Sequence, residues 1–238
     1  MVGLPVLLSL VRMLERPGSA TPIMATDTTD LGAFPLTAID REIIAMNDED
    51  FPLVKWDELT EIISANRLEK LKRRPSDLRR YIRWSNETKA EYGSIPNFVV
   101  QERLKWTPLP SSIPGEPPNF EFLDSVPFKN QNDFKILKND WPYGLDTGIV
   151  HICVWLKTPI ETDSSTGDVT DHSRSLIKKF VDDTFSSKLD TAFGPGKGKD
   201  HVLWFKNWVA LQSVRGVDHI HVLVRDAPQD MLEDWTRQ

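Results

Sequence analysis

The stretch LQSVRGVDHIHVLVRD, residues 211–226, decides how the chain is read. It places two of the protein's five histidines, His219 and His221, one residue apart inside an apolar run. Successive side chains of a strand point to opposite faces, so His219 and His221 share one face while Ile220 and Val222 take the other. Strand rise sets their bases about 7 Å apart. That spacing suits shared phosphate contact, acid–base work or a common metal. It is equally what two histidines on a half-exposed sheet would show.

Working outward, GIVHICVWLKTPIE (148–161) and HVLWFKNW (201–208) are β-branched and aromatic runs bounded by turn residues, and read as two more strands. Between them TDHSRSLIKKFVDDTFSSKL (170–189) sets Leu176, Ile177, Phe180 and Val181 on one helical stripe. VALQSVRG, between the last two strands, is long for a tight hairpin, and APQDMLEDWTRQ (227–238) reads as a short helix. Upstream, residues 38–106 read as helices. WDELTEIISANRLEKLKRR (56–74) carries acids early and bases late, as the helix dipole favours, and Pro75 is expected to stop it. Ser76 is a good N-cap for the next helix, with Gly93 placed as its C′ residue. A shorter helix, NFVVQERLKW (97–106), follows. TPLPSSIPGEPP holds five prolines and reads as an extended connector.

The expected fold is α+β: a mostly antiparallel sheet with a crossing helix, preceded by an N-terminal helical region. Residues 34–106 form that region, 107–119 the proline-rich connector and 120–238 the sheet region, in one composite domain with 34–106. Residues 1–33 read as a disordered leader. Its apolar run, about nine residues, is too short to span a bilayer, and it lacks a basic n-region. Arg12 and Arg16 could mimic a mitochondrial presequence, and Met24 is an alternative start.

With 39% hydrophobic and 27% charged residues the chain has a globular rather than a disordered composition. Its net charge of −6 provides no general attraction for nucleic acid or an anionic membrane. The lone cysteine, Cys153, excludes an internal disulfide and a multi-cysteine zinc site, and fits a reducing compartment.

The segment 204–225 resembles a worn histidine-triad signature: a strand, Asn207, then Gln212 and Ser213, then the His-x-His strand closed by Arg225. On that likeness His219 would be nucleophile or base and His221 its partner. If the register is the other, His221 becomes the candidate. Val217 or Leu223 stands where a third histidine is expected, and the gap from Gln212 to His219 is long. His151 and His201 each open a strand, so three or four histidines could converge on a zinc-type site. Asp140, Asp200 and Asp218 could equally be turn residues. No metal and no cofactor are assigned.

Lys70, Lys72, Arg73, Arg74, Arg79, Arg80 and Arg83 are a local reversal of charge. A solvated helix end is the favoured account, and anion or nucleic-acid binding is the alternative. Arg79 and Arg83, on one side of the helix, could instead meet a protein partner. GPGKGK (194–199) lacks phosphate-loop spacing and reads as a mobile loop that could act as a lid beside the histidines. In NDWPYG (139–144) Trp141 is an anchor, Pro142 fixes φ and Gly144 permits positive φ.

Taken together, the segments FPLVKWDELTEIISANRLEKLKRRPSDLRRYIRW, NDWPYGLDTGIVHICVW and WFKNWVALQSVRGVDHIHVLVR are similar to the fungal N-acetylglucosamine-induced protein family, from about residue 35 to 228. The resemblance implies a cytoplasmic role tied to amino-sugar response and supplies no catalytic residues. The resulting expectation is a phosphorylated small-molecule ligand, a sugar phosphate or sugar nucleotide. It would be held by His219 and His221 with Asn207, Gln212, Ser213 and an inward-turned Arg225. If the site is catalytic, the chemistry is phosphoester hydrolysis or transfer. The alternative is a non-catalytic regulator of amino-sugar or chitin metabolism.

Overall fold

The computed structural model describes residues 34–111, 116–208 and 211–237. The leader at 1–33, with Arg12, Arg16 and Met24, and residues 112–115 of the connector lie outside them. Four strands, β1 (Phe134–Lys138), β2 (Ile149–Leu156), β3 (Val202–Phe205) and β4 (Asp218–Arg225), form a sheet in the order β1-β2-β4-β3. Every neighbouring pair is antiparallel. With the helices around it, this is the α+β fold that the alternating and 3.6-residue patterns predict.

Helices cover both faces. Before the sheet come α1 (Ala38–Ile44), α2 (Trp56–Ser64), α3 (Pro75–Tyr92) and α4 (Ile95–Phe98), the last continued by a π-helical segment, Val99–Leu104. Between β2 and β3 lie α5 (Asp171–Val181) and α6 (Ser187–Phe193), and α7 (Gln229–Thr236) follows β4. Caps set several starts: Thr37 and Asp40 form a reciprocal capping box on α1, and Thr170 accepts from Ser173 N at 3.2 Å on α5.

Ile152, Val154 and Leu156 of β2 join Ile220, Val222 and Val224 of β4 in a core with Ile177, Phe180, Phe185, Leu189, Leu232 and Trp235. This is the face beneath α5, α6 and α7. The opposite face, carrying the odd-numbered residues of β2 and β4, meets the N-terminal helical region through Ile95, Val99, Val100 and Leu104 around Trp155, and through Leu59, Ile62, Leu68 and Leu71 around Phe205 and Leu223.

The helix expected over 56–74 ends at Ser64. Asn66 takes a left-handed conformation (φ 50°), which its short polar side chain tolerates, and a 3₁₀ turn, Leu68–Lys70, follows. Pro75 opens α3 instead of closing its predecessor, because its fixed φ and missing N–H suit the first helical position. Ser76 is therefore inside α3 and is not the N-cap. Its N–H donates to Asp48 Oδ1 at 2.8 Å, so a remote carboxylate serves the helix start. Burial would raise the Asp48 pKa, but the bonds from Ser76 and the charges of Arg74 and Arg79 lower it.

Trp141 anchors as expected, packing on Tyr81 and Trp84. Gly144 does not have positive φ; it is small because a Cβ there would lie 2.5 Å from the Phe51 ring. Gly144 N donates to Lys72 O at 2.8 Å, tying this turn to the chain just before α3.

Candidate functional site

The register of β2 and β4 builds the site. Cys153 stands opposite His221, Trp155 opposite His219 and His151 opposite Leu223. Directly opposed residues share a face, so the period-two run His151, Cys153, Trp155 lies beside the run His219, His221. On the other flank Phe205 of β3 opposes His221 and stacks on it, ring centroids 4.8 Å apart. His219 and His221 do face the same way, with centroids 5.2 Å apart.

All three imidazoles are buried: His151 is 4% exposed, His219 5% and His221 6%. The polar contacts define their protonation. Asn207 Nδ2 donates to His221 Nε2 at 3.1 Å, so the proton of a neutral His221 sits on Nδ1. That nitrogen is 2.8 Å from His151 Nε2, which accepts. His219 Nδ1 is 2.8 Å from Val217 O and must donate to it, leaving Nε2 as the lone-pair nitrogen. Burial lowers the pKa of each ring: His151 to about 3, His219 to about 4, His221 well below its ordinary value. The positive charge of Arg73 lowers His151 and His221 further, while the Val217 carbonyl partly restores His219. The Cys153 thiol, 3.6 Å from His221 Nδ1, is pushed up by burial and by the charge of Asp140.

Above these groups opens a cavity of about 200 Å³. His219, His221, Cys153, Asn207 and Ser213 line it together with Tyr81, Trp84, Trp141, Tyr143 and Trp155. Arg73 brings a cation to the same wall. Its Nε donates to Trp141 O at 3.2 Å, and its guanidinium lies 4.1 Å from the Tyr81 ring centroid. Among the described residues no carboxylate forms an ion pair with Arg73.

The residues singled out from sequence are brought together in part. His219, His221, Asn207 and Ser213 line the cavity. Gln212 does not; its Nε2 donates to Asn207 O at 2.8 Å, and its side chain faces a neighbouring depression with Lys206 and Asp218. Asp218 pairs with the buried Lys206 at 3.0 Å. Arg225 does not turn inward. Its guanidinium sits 4.7 Å from the Trp56 ring centroid and donates to Asp200 O at 3.2 Å, outside the cavity.

Of the two further histidines, His151 joins the cluster and His201 does not. His201 stacks on Phe193 and contacts Arg225 O. Asp140 pairs with Arg103. The 194–199 loop lies beside α5, α6 and Trp204, on the other face of the sheet, so it is no lid for the histidines. Arg79 is engaged within the chain, donating to Ile44 O; Arg83 is exposed on α3.

Sequence reasoning missed Arg73, Tyr143 and the role of Cys153. The alternation His151-x-Cys153-x-Trp155 carried the signal for Cys153. Arg73 was marked only as one of seven clustered cations, and nothing singled it out from them, since its position depends on the pairing of Lys72 with Gly144.

Fold and site define a class: an α+β protein whose antiparallel sheet has a dry helix-covered face and, on the other, buried imidazoles flooring an aromatic cavity. The chain belongs to the family described as protein of unknown function (DUF3605), whose model matches residues 55–225 and so spans every cavity-lining residue named above. It is similar to N-acetylglucosamine-induced protein 1 of Candida albicans, 29% identical over 187 residues, covering 75% of this chain and 71% of that protein. It is also similar to uncharacterized protein YPL067C of Saccharomyces cerevisiae, 26% identical over 186 residues, covering 78% and 86%. Among solved structures the crystal structure of HTC1 has a TM-score of 0.52 at 24% identity, covering 77% of this chain and 91% of that one, a likeness of fold. These relatives lend no support to the histidine-triad resemblance of residues 204–225. Among the described residues no helix is long and apolar enough to cross a membrane.

Proposed function

We propose that the cavity binds a small phosphorylated molecule, with Arg73 receiving the phosphate and the aromatic walls receiving the organic part. The observation that carries this reading is the Arg73 guanidinium: charged, without a carboxylate partner among the described residues, and held on a carbonyl and an aromatic face at the rim of neutral imidazoles. A cation in a partly dry site attracts an anion far more strongly than it would in water. Tyr81, Trp84, Trp141 and Trp155 offer faces on which a sugar or base can stack. One relative's name records induction by N-acetylglucosamine. On that ground phosphorylated amino sugars and their nucleotide derivatives are the first ligands to test.

His219 is suited to chemistry on such a ligand. Its Nδ1–H is fixed by Val217 O, so the ring is oriented and Nε2 keeps its lone pair at neutral pH. That is the state a nucleophile or general base requires. Phosphoester hydrolysis or transfer is the reaction class we infer, with His219 as the attacking or proton-accepting group and Arg73 neutralising the phosphoryl oxygens.

A thermal-stability screen over inorganic phosphate, sugar phosphates and UDP-sugars tests the reading. A ligand present at a hundred times its Kd should stabilise the protein by about 2.7 kcal/mol. Arg73→Gln should abolish that stabilisation and Arg73→Lys should keep part of it. A ligand response unchanged in Arg73→Gln, or none from any phosphorylated compound, contradicts it.

A further inference from the structure

His151, Cys153 and His221 are not used in the binding scheme above, yet each offers a ligand atom, and these atoms lie within 4.8 Å of one another. We infer that they form a transition-metal site of the zinc class, with two imidazole nitrogens and one thiolate as ligands and a fourth position open to the cavity. The donor set selects the metal. Imidazole with thiolate suits Zn²⁺ or Cu⁺ and is a poor match for Mg²⁺ or Ca²⁺.

The two separations that involve His221 are close to those of such a centre, and the third lies within 4.8 Å. Zinc bonds of about 2.0–2.1 Å to nitrogen and about 2.3 Å to sulfur imply separations of roughly 3.4 Å between two nitrogens and roughly 3.6 Å between nitrogen and sulfur in a tetrahedron. Cys153 Sγ and His221 Nδ1 are already 3.6 Å apart. His151 Nε2 and His221 Nδ1, at 2.8 Å, need to part by only about half an ångström. Cys153 and His221 both line the cavity, so an ion held between them would border the space where a ligand would sit.

An independent observation lies next to the cluster. Among the described residues none hydrogen-bonds the buried Asn207 Oδ1, on a residue 5% exposed whose amide nitrogen touches His221 Nε2. When His221 Nδ1 carries a metal, its proton must move to Nε2, and that nitrogen then requires an acceptor of the kind Asn207 Oδ1 provides.

Binding is balanced as one exchange. The Cys153 S–H bond breaks, its proton leaves to buffer, and the sulfur lone pair forms the metal bond. The imidazoles are neutral before and after, so one proton is released per ion at neutral pH.

The test is a Co²⁺ titration of the untagged full chain, followed by Zn²⁺ displacement, with no phosphorylated compound present. The expected result is one Co²⁺ per chain, a thiolate-to-cobalt charge-transfer band in the near ultraviolet, tetrahedral visible bands, and one proton released. Cys153→Ser should remove the band and weaken Zn²⁺ binding at least tenfold. Arg73→Gln, which tests the phosphate reading, should leave the cobalt spectrum in place, so the two readings fail separately. The inference is overturned if stoichiometric Co²⁺ gives wild-type protein no charge-transfer band, or if the band survives in Cys153→Ser.

Discussion

The two faces of one sheet are made by alternate residues of the same strands, and they do opposite things. On β4 the even positions Ile220, Val222 and Val224 are fully buried against Ile177 and Phe185. The odd positions His219 and His221, buried but for 5% and 6% of their surface, meet polar and aromatic groups and a cavity instead. Burial of Ile, Val and Phe stabilises at about 25 cal/mol per Å² removed from water. Burial of an imidazole costs free energy unless each nitrogen finds a partner. The first face holds the fold together. The second is the part of the core whose composition is explained by chemistry better than by stability.

Acid should expose the difference most strongly. The folded-state pKa values of His151, His219 and His221 all lie below the ordinary 6.5. The unfolded chain therefore binds more protons than the folded one, and stability rises with pH. The contribution is fully present above about pH 6.5 and is lost as pH falls toward about 4 for His219 and about 3 for His151. The loss is at most about 1.4 kcal/mol per pH unit for each ring. Urea denaturation at a series of pH values should show that slope; a stability flat from about pH 6.5 to 5 would mean the rings are not buried as neutral groups.

A substitution on the dry face sharpens the contrast. Phe185→Ala should cost about 3–5 kcal/mol, lowering the whole pH–stability curve without changing its slope. On the histidine face His151→Leu should cost less, about 1–3 kcal/mol, because it strands the His221 Nδ1–H in a buried place. Replacing both partners, His151→Leu with His221→Leu, should recover most of that loss, since no unpaired donor remains on that bond. A double variant much worse than the single one would show that this face packs as tightly as the other.

How much of this was legible in the sequence follows from the same geometry. Period-two alternation told which residues of β4 share a face, and the helical stripe around Ile177 and Phe180 told what covers the other. Strand order was not encoded locally, so nothing said whether His151 or His201 would stand beside His221. The register Cys153↔His221 decided it, and His201 went to the far end of the sheet. Arg73 looked like one charge in a solvated helix end because Arg74, Arg79 and Arg80 surround it in sequence. Its place at the cavity depends on Pro75 opening α3 and on Lys72 O accepting from Gly144. Arg225 was misjudged for the converse reason. It has the same parity as His221, but strand rise carries it too far along β4, and Trp56 takes up its guanidinium.

The claim that the second face keeps neutral imidazoles ready for a ligand is most directly tested by ring-nitrogen NMR of the histidines between about pH 7.5 and 5. The predicted result is three non-titrating rings, with His219 carrying its proton on Nδ1 and a bare Nε2 throughout. Rings that protonate together with a midpoint near 6.5 would contradict it.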